Sequence, residues 1–282
     1  MLTFAIAAAS AVLTHGLHVH RAAETPSNYG SNSVMVVDHV PKCGGTFVNY
    51  MAENSVEPAH LRLVHEEFQL GPQDVGPGMF VIGMVRNPFD YYISMWAYQG
   101  YWSELSHKDM ERIRPLGEPA GSHPEDAERF GRFLEYFSDP ELGLLSFLMY
   151  FSYLDFDGVV PTSQWPWRGT VKTFLGNATT RASRREKVTQ ALTALSTSSS
   201  PVDCWVKTEE ATADTTSCFQ EFAARGGLVN FTAFDEALAA QYQNSHDHLS
   251  CSHIYNADTL RFVQTGDAEL FQAFGYPLTC EA

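Results

Sequence analysis

Positive charge is scarce in this sequence. Only 18 Lys and Arg stand against 33 Asp and Glu, for a formal net charge of −15 over 282 residues. Nucleic-acid binders carry a basic footprint, so that class is set aside. The same balance disfavours a long polyanionic acceptor, but it does not bar a small anion, because local donors set the field at a site. The one basic cluster, Arg181, Arg184, Arg185 and Lys187, reads first as a solvated helix face and second as a grip on an acidic glycan. No C-x-x-C pair occurs among the five cysteines. The polar stretch holding His246, Asp247, His248, Cys251 and His253 matches no standard zinc spacing and reads as a loop. Long apolar runs are missing too. Glu141 to Leu154 reads as a buried helix, too short and interrupted to span a membrane. No repeat or linker divides the chain, and Ser/Thr-rich Thr193 to Pro201 reads as a surface loop. The G-x-x-x-x-G-K-[ST] frame of nucleoside-triphosphate loops is also absent.

What the chain does have starts at an apolar run, Met35 to Val37, that feeds Asp38-His39-Val40 and then Pro41-Lys42-Cys43-Gly44-Gly45-Thr46. A helix-like segment, Phe47 to Ser55, follows. Strand, tight turn and helix start make an anion site, because the first helical N–H groups have no intrahelical acceptor and carry the positive end of the dipole. Gly44 and Gly45 let backbone approach a ligand, Thr46 offers a cap and a hydroxyl, and Lys42 adds a mobile charge. A second unit repeats the logic. Met79 to Val85 is a continuous apolar run, as expected of a buried parallel strand. Arg86-Asn87-Pro88 ends it, and Phe89 to Tyr101 reads as a helix that puts Ser94 about two turns in, on the side of Arg86. An Arg and a hydroxyl converging there suit a second phosphate. With a third strand near 203–207, the spacing predicts an α/β fold with a central, mainly parallel sheet and ligands at the strand C-terminal ends.

Together these segments resemble the cofactor site of Golgi-type carbohydrate sulfotransferases. Pro41 to Thr46 is similar to the family's P-K-x-G-G-T loop for the 5′-phosphosulfate. Arg86 to Ser94 is similar to its R-[DN]-P-x-x-R-x-x-S motif for the 3′-phosphate, with Tyr91 standing where the family often carries Arg. Val202 to Glu209 resembles its late core strand with a following acidic residue. The tail from Tyr255 to Phe274-Gly275-Tyr276 resembles its C-terminal helices and F-G-Y ending. The resemblance implies a three-layer, P-loop-like fold and sulfuryl transfer from 3′-phosphoadenosine 5′-phosphosulfate to an acceptor hydroxyl, with no metal required. A carbohydrate is the expected acceptor; a lipid, a peptide tyrosine or a small metabolite are alternatives. It implies that Pro41, Lys42, Cys43, Gly44, Gly45, Thr46, Phe47, Arg86 and Ser94 bind the donor. Lys42 would neutralise the leaving nucleotide. The family's base is a His or Glu reached after the first helix. In His60 to Glu67, His65 is the first choice, at the end of a short alternating strand, with Glu66 and Glu67 as rivals.

Residues 26–282 read as one enzyme-sized domain. Leu2 to Leu13, within residues 1–25, has the length of a signal-peptide core, with a short signal anchor as the alternative and a transit peptide a distant third. Secretory entry would make Asn177-Ala178-Thr179 and Asn230-Phe231-Thr232 glycan acceptors in the Golgi lumen or outside the cell, and would leave the membrane as a partner only through that anchor. Cys43 is expected as a thiol in the loop. Cys204, Cys218, Cys251 and Cys280 form either a reduced set or an even set with three possible pairings. Trp96, Trp102, Trp165 and Trp167 could stack on sugars or pack in the core, and the loop-like Arg112 to Asp126 could line an acceptor cleft. Two rival functions share the loop physics: a nucleotide-dependent kinase and a non-catalytic secreted binding protein.

Overall fold

The apolar runs become strands. A computed structural model describes residues 33–64, 69–98, 105–155, 171–195, 197, 199–240 and 249–280. In it β1 (Val34–Asp38), β2 (Leu61–Val64), β3 (Met79–Val85) and β4 (Cys204–Lys207) form one sheet in the order β2-β1-β3-β4, with all three pairings parallel. Val37 lies opposite Leu63 on one side and Ile82 on the other, and Ile82 in turn lies opposite Cys204. β3 is buried along almost its whole length, as its unbroken apolar sequence requires of a strand covered on both faces. From β1 the chain moves outward to β2, then returns to place β3 on the other side of β1. That reversal makes the β1/β3 crevice the topological switch point, where open parallel sheets take their ligands.

Helices flank the sheet. α1 (Gly45–Ser55) packs on α9 (Phe231–Ala239), and α8 (Ala211–Ala224) packs on β4. α2 (Pro88–Ala97) contacts α4 (Asp126–Phe137), α10 (Cys251–Ile254) and α11 (Ala257–Gly266). α4 buries Phe130, Phe133, Leu134 and Phe137, the i, i+3, i+4, i+7 stripe of an amphipathic helix. α5 (Leu144–Leu154) is buried almost throughout and packs against α7 (Ala178–Thr193), in agreement with the apolar helix expected there. α3 (His107–Ile113), α6 (Val171–Leu175) and α12 (Ala268–Phe274) complete the helices of the described residues. None of these helices is long and apolar enough to cross a membrane.

Two buried carboxylates organise the helical layers. Asp267, at the α11–α12 junction, accepts the Tyr92 hydroxyl at 2.8 Å and the Ser146 N–H at 2.8 Å, tying α2 and the start of α5 to the C-terminal helices. Burial raises its pKa to about 6, against the lowering effect of these bonds. Asp126 accepts the N–H groups of Leu116, Gly117, Gly121 and His123, which fixes the loop that precedes α4. That loop was expected over Arg112 to Asp126; its first residues instead finish α3. Cys204–Cys218 links β4 to α8, Cys251–Cys280 links α10 to the C-terminal segment, and Cys43 is in neither bond. One of the three possible pairings is thereby selected.

Four sequence expectations change. α1 begins at Gly45 rather than Phe47, and α2 ends at Ala97 rather than Tyr101, because Tyr98 leaves helical space at φ −79°, ψ 108°. The basic cluster on α7 is not a bare solvated face: Arg181 pairs with Asp139 at 2.7 Å, Arg185 pairs with Glu141, and Arg184 donates to the Phe174 carbonyl. Trp96 is a core residue, fully buried, with its indole N–H on the Ile113 carbonyl at 2.6 Å, so it cannot stack on a sugar. Trp102, Trp165, Trp167, His246, His248 and the N-terminal segment lie outside the described residues.

Candidate functional site

The loop after β1 is shaped by two left-handed residues. Lys42 has φ 62° and Gly44 has φ 84°. The first is uncommon for a residue with a side chain and is held by the turn that the Cys43 N–H closes on the Val40 carbonyl at 3.2 Å. Gly44 is the N-cap of α1, with no side-chain cap. Thr46 is therefore the second residue of the helix and not its cap, contrary to expectation. The Phe47 and Val48 N–H groups turn back to the Gly44 carbonyl, at 3.0 and 3.3 Å. The N–H groups of Gly44, Gly45 and Thr46 have no hydrogen-bond partner among the described residues. Three successive unpaired donors at a helix start form a concave anion cradle.

The two glycines serve different ends. A Cβ on Gly44 would meet Thr208 at an ordinary 3.5 Å, so what Gly44 supplies is its positive φ. A Cβ on Gly45 would fall 1.8 Å from His39 Cδ2, so Gly45 makes room for an imidazole. His39 itself leaves the end of β1 with its N–H on the Val64 carbonyl at 3.2 Å, which holds β1 to β2 at the mouth of the loop.

The second corner meets the first. Arg86, just beyond β3, donates through Nη1 to the Lys42 carbonyl at 3.1 Å, and its Nε is buried with no partner among the described residues. The loop and the strand-end arginine thus share one corner of the switch-point crevice. Asn87 caps α2 by accepting the Phe89 N–H at 2.9 Å, and its own N–H goes to Glu209 at 2.7 Å. The other Glu209 oxygen accepts the Tyr276 hydroxyl at 3.1 Å. Burial and that carboxylate push the Tyr276 phenol well above its ordinary pKa, so it stays a donor. Lys207 donates to the Phe274 carbonyl at 2.9 Å, and Thr208 donates to the Val85 carbonyl at 3.2 Å. The β4 end and the Phe274-Gly275-Tyr276 tail therefore brace the Arg86 turn. The Lys42 ammonium sits 4.2 Å from the centre of the Tyr98 ring, a cation–π contact across the mouth.

Under the crevice the strands part. The Tyr153 hydroxyl sits between them, accepting the Met84 N–H at 2.8 Å and donating to the Asp38 carbonyl at 3.3 Å. The Asp38 side chain is fully buried, and neither carboxyl oxygen has a hydrogen-bond partner of acceptable geometry among the described residues. Burial pushes its pKa well above the usual carboxylate range and nearby Asp74 adds to this; the His39 N–H that offsets them in part is already bonded to Val64.

The structure thus brings together Pro41, Lys42, Cys43, Gly44, Gly45, Thr46, Phe47 and Arg86. Ser94 lies buried in α2, with no direct hydrogen bond to Arg86 or the loop among the described residues. Tyr91 is fully buried against Tyr92 and brings no charge to the corner. His65, Glu66 and Glu67 lie outside the described residues. Among those described, no three His, Cys, Asp or Glu side chains are grouped to hold a metal ion. Sequence reasoning passed over His39, Tyr98 and the Glu209–Tyr276 link. Of these, only His39 had a usable signal, three residues before Lys42 at the end of an apolar strand. The corner can hold an anion on backbone amides, with one lysine and one arginine at its edge. Comparisons with family models, with curated proteins and with solved structures return no match.

Proposed function

We propose that this chain is a sulfotransferase that moves a sulfuryl group from 3′-phosphoadenosine 5′-phosphosulfate to an acceptor hydroxyl, with a carbohydrate as the first acceptor class. The observation that carries the reading is the shared corner: Arg86 Nη1 on the Lys42 carbonyl at 3.1 Å, beside three loop amides with no partner among the described residues. The residues fit a nucleotide with phosphate at both ends of its ribose. The Gly44, Gly45 and Thr46 amides would take the 5′-phosphosulfate. The Arg86 guanidinium, whose Nε has no partner among the described residues, would take the 3′-phosphate. The all-parallel sheet with its crevice at the switch point is compatible with a three-layer, P-loop-like arrangement.

Sulfuryl transfer demands in-line positioning and neutralisation of spreading negative charge. The amides position the donor, and Lys42 meets the charge that builds on the bridging oxygen as the nucleotide leaves. Removing one such donor typically costs 10²–10³ in rate. Two disulfides support an oxidising compartment, and with it the secretory localisation.

Transfer of radiolabelled sulfate from the donor to a panel of glycans and small alcohols tests the reading. Label on an acceptor, lost in Lys42→Ala, supports it. Consumption of ATP with magnesium instead would identify a kinase, and turnover of neither donor would leave a binding module.

A further inference from the structure

We propose that His39 is the catalytic base of this site, the group that takes the acceptor proton; the inference rests on the sulfotransferase reading above. The first observation is placement. His39 is the residue that follows β1, three positions before Lys42, at the C-terminal edge of the sheet where the cradle opens. The second is the fit of its ring to the loop. The point where a Gly45 Cβ would stand is 1.8 Å from His39 Cδ2 and 2.5 Å from Nε2, so Nε2 lies within about 4 Å of the Gly45 Cα, one carbon–carbon bond further on. Gly45 carries one of the three unpaired amides. The imidazole therefore packs against the residue that carries the middle one of the donors that would hold the phosphosulfate. The third is access: His39 is only partly buried, whereas its neighbour Asp38, on the opposite face of β1, is sealed.

The loop sequence carries a trace of the same requirement. Gly44 is explained by its positive φ, but Gly45 has an ordinary helical position, where any residue could stand were it not for the ring. A glycine kept at a helix start to admit an imidazole gives that imidazole a fixed place, and a fixed place is what proton transfer needs. The step balances. The acceptor oxygen forms its bond to sulfur while its proton passes to the His39 ring. The bond between sulfur and the bridging oxygen breaks. Adenosine 3′,5′-bisphosphate leaves with the electron pair, its charge met by Lys42. The imidazolium then returns its proton to water.

Three variants of the full chain separate chemistry from packing. His39→Ala removes ring and base, His39→Phe keeps a ring against Gly45 without a proton acceptor, and His65→Ala removes the imidazole that the sequence offers first as base. The readouts are radiolabelled sulfate transfer from the donor to neutral oligosaccharides and simple alcohols, calorimetric binding of adenosine 3′,5′-bisphosphate, and transfer in the presence of added imidazole. Expected are losses of about 10²–10⁴ in kcat for both His39 variants, with nucleotide affinity within a fewfold of wild type. Added imidazole should restore part of the His39→Ala rate and none of the His39→Phe rate. A His39→Phe protein with near wild-type kcat overturns the proposal and leaves His39 as packing. So does a His39→Ala protein that loses nucleotide binding along with transfer and does not respond to imidazole. Loss of transfer in His65→Ala alone, rescued by imidazole, moves the role to His65. In each of these cases wild-type transfer survives. Failure of the wild-type protein itself to transfer sulfate overturns the sulfotransferase reading and this inference with it.

Discussion

Asp267→Asn should change how stability depends on pH, by an amount the structure sets. In the folded chain Asp267 holds its proton up to about pH 6, whereas its ordinary value is 3.8. Between those values the native state binds a proton that the unfolded chain has released. The associated stabilisation is complete below pH 3.8 and is lost as pH rises through 6. At 1.36 kcal/mol per unit, the whole effect is about 3 kcal/mol, of which about 2.5 falls between pH 4 and pH 7. Asparagine does not titrate. Its carbonyl can still accept the Ser146 N–H, and its amide can turn to the Tyr92 oxygen, so the geometry at the α11–α12 junction survives. Urea denaturation of both proteins at pH 4, 5, 6 and 7 isolates the slope, because every other titrating group cancels in the difference. The variant should gain on wild type by about 2.5 kcal/mol from pH 4 to pH 7. A difference that stays flat within about 0.5 kcal/mol would refute the reasoning, since Asp267 would then titrate as it does in an open chain.

Gly44→Ala should cost about 1–2 kcal/mol through its positive φ alone, and Gly45→Ala about 1–3 kcal/mol by driving into the His39 ring. Thermal melts of Gly45→Ala with and without His39→Ala should show a coupling that Gly44→Ala lacks. Replacing both cysteines of Cys204–Cys218 by serine should cost about 3 kcal/mol, and those of Cys251–Cys280 about 3.5 kcal/mol, from their sequence separations of 14 and 29, read by urea denaturation. Tyr98→Leu should weaken adenosine 3′,5′-bisphosphate binding by a few fold, because it removes about 0.5–1 kcal/mol of cation–π support for Lys42, while Tyr98→Phe should not. Calorimetry reads both.

The parts of this fold that were legible in the sequence are those written in local pattern. β3 is visible because a strand covered on both faces must be apolar throughout, and the loop after β1 is visible because Gly44, Gly45 and Lys42 have few other uses together. The buried α5 follows for the same reason. What stayed hidden depends on contacts between distant residues. Glu209 reaches Asn87 across 122 positions and Tyr276 across 67, and no local pattern announces either bond. The same holds for the choice among three cysteine pairings. The end of α2 was misplaced although Gly100 already disfavours a helix there, and the turn of Tyr98 toward Lys42 is a tertiary preference. Ser94 was placed by spacing along an ideal helix, and it lies on the buried part of α2. Gly45 was legible as a glycine but not for its reason, which becomes visible only when the His39 ring is placed against it.

The shared corner is tested most directly by calorimetric titration of wild type and Arg86→Ala with adenosine 3′,5′-bisphosphate and, separately, with adenosine 5′-monophosphate. Loss of the Arg86 guanidinium should weaken the bisphosphate by about 10–100-fold more than the monophosphate, the worth of one charged hydrogen bond of roughly 1.5–3 kcal/mol, with a smaller loss common to both because the loop also loses its tie at the Lys42 carbonyl. Equal loss for both nucleotides, or no binding of the bisphosphate by wild type, would contradict it.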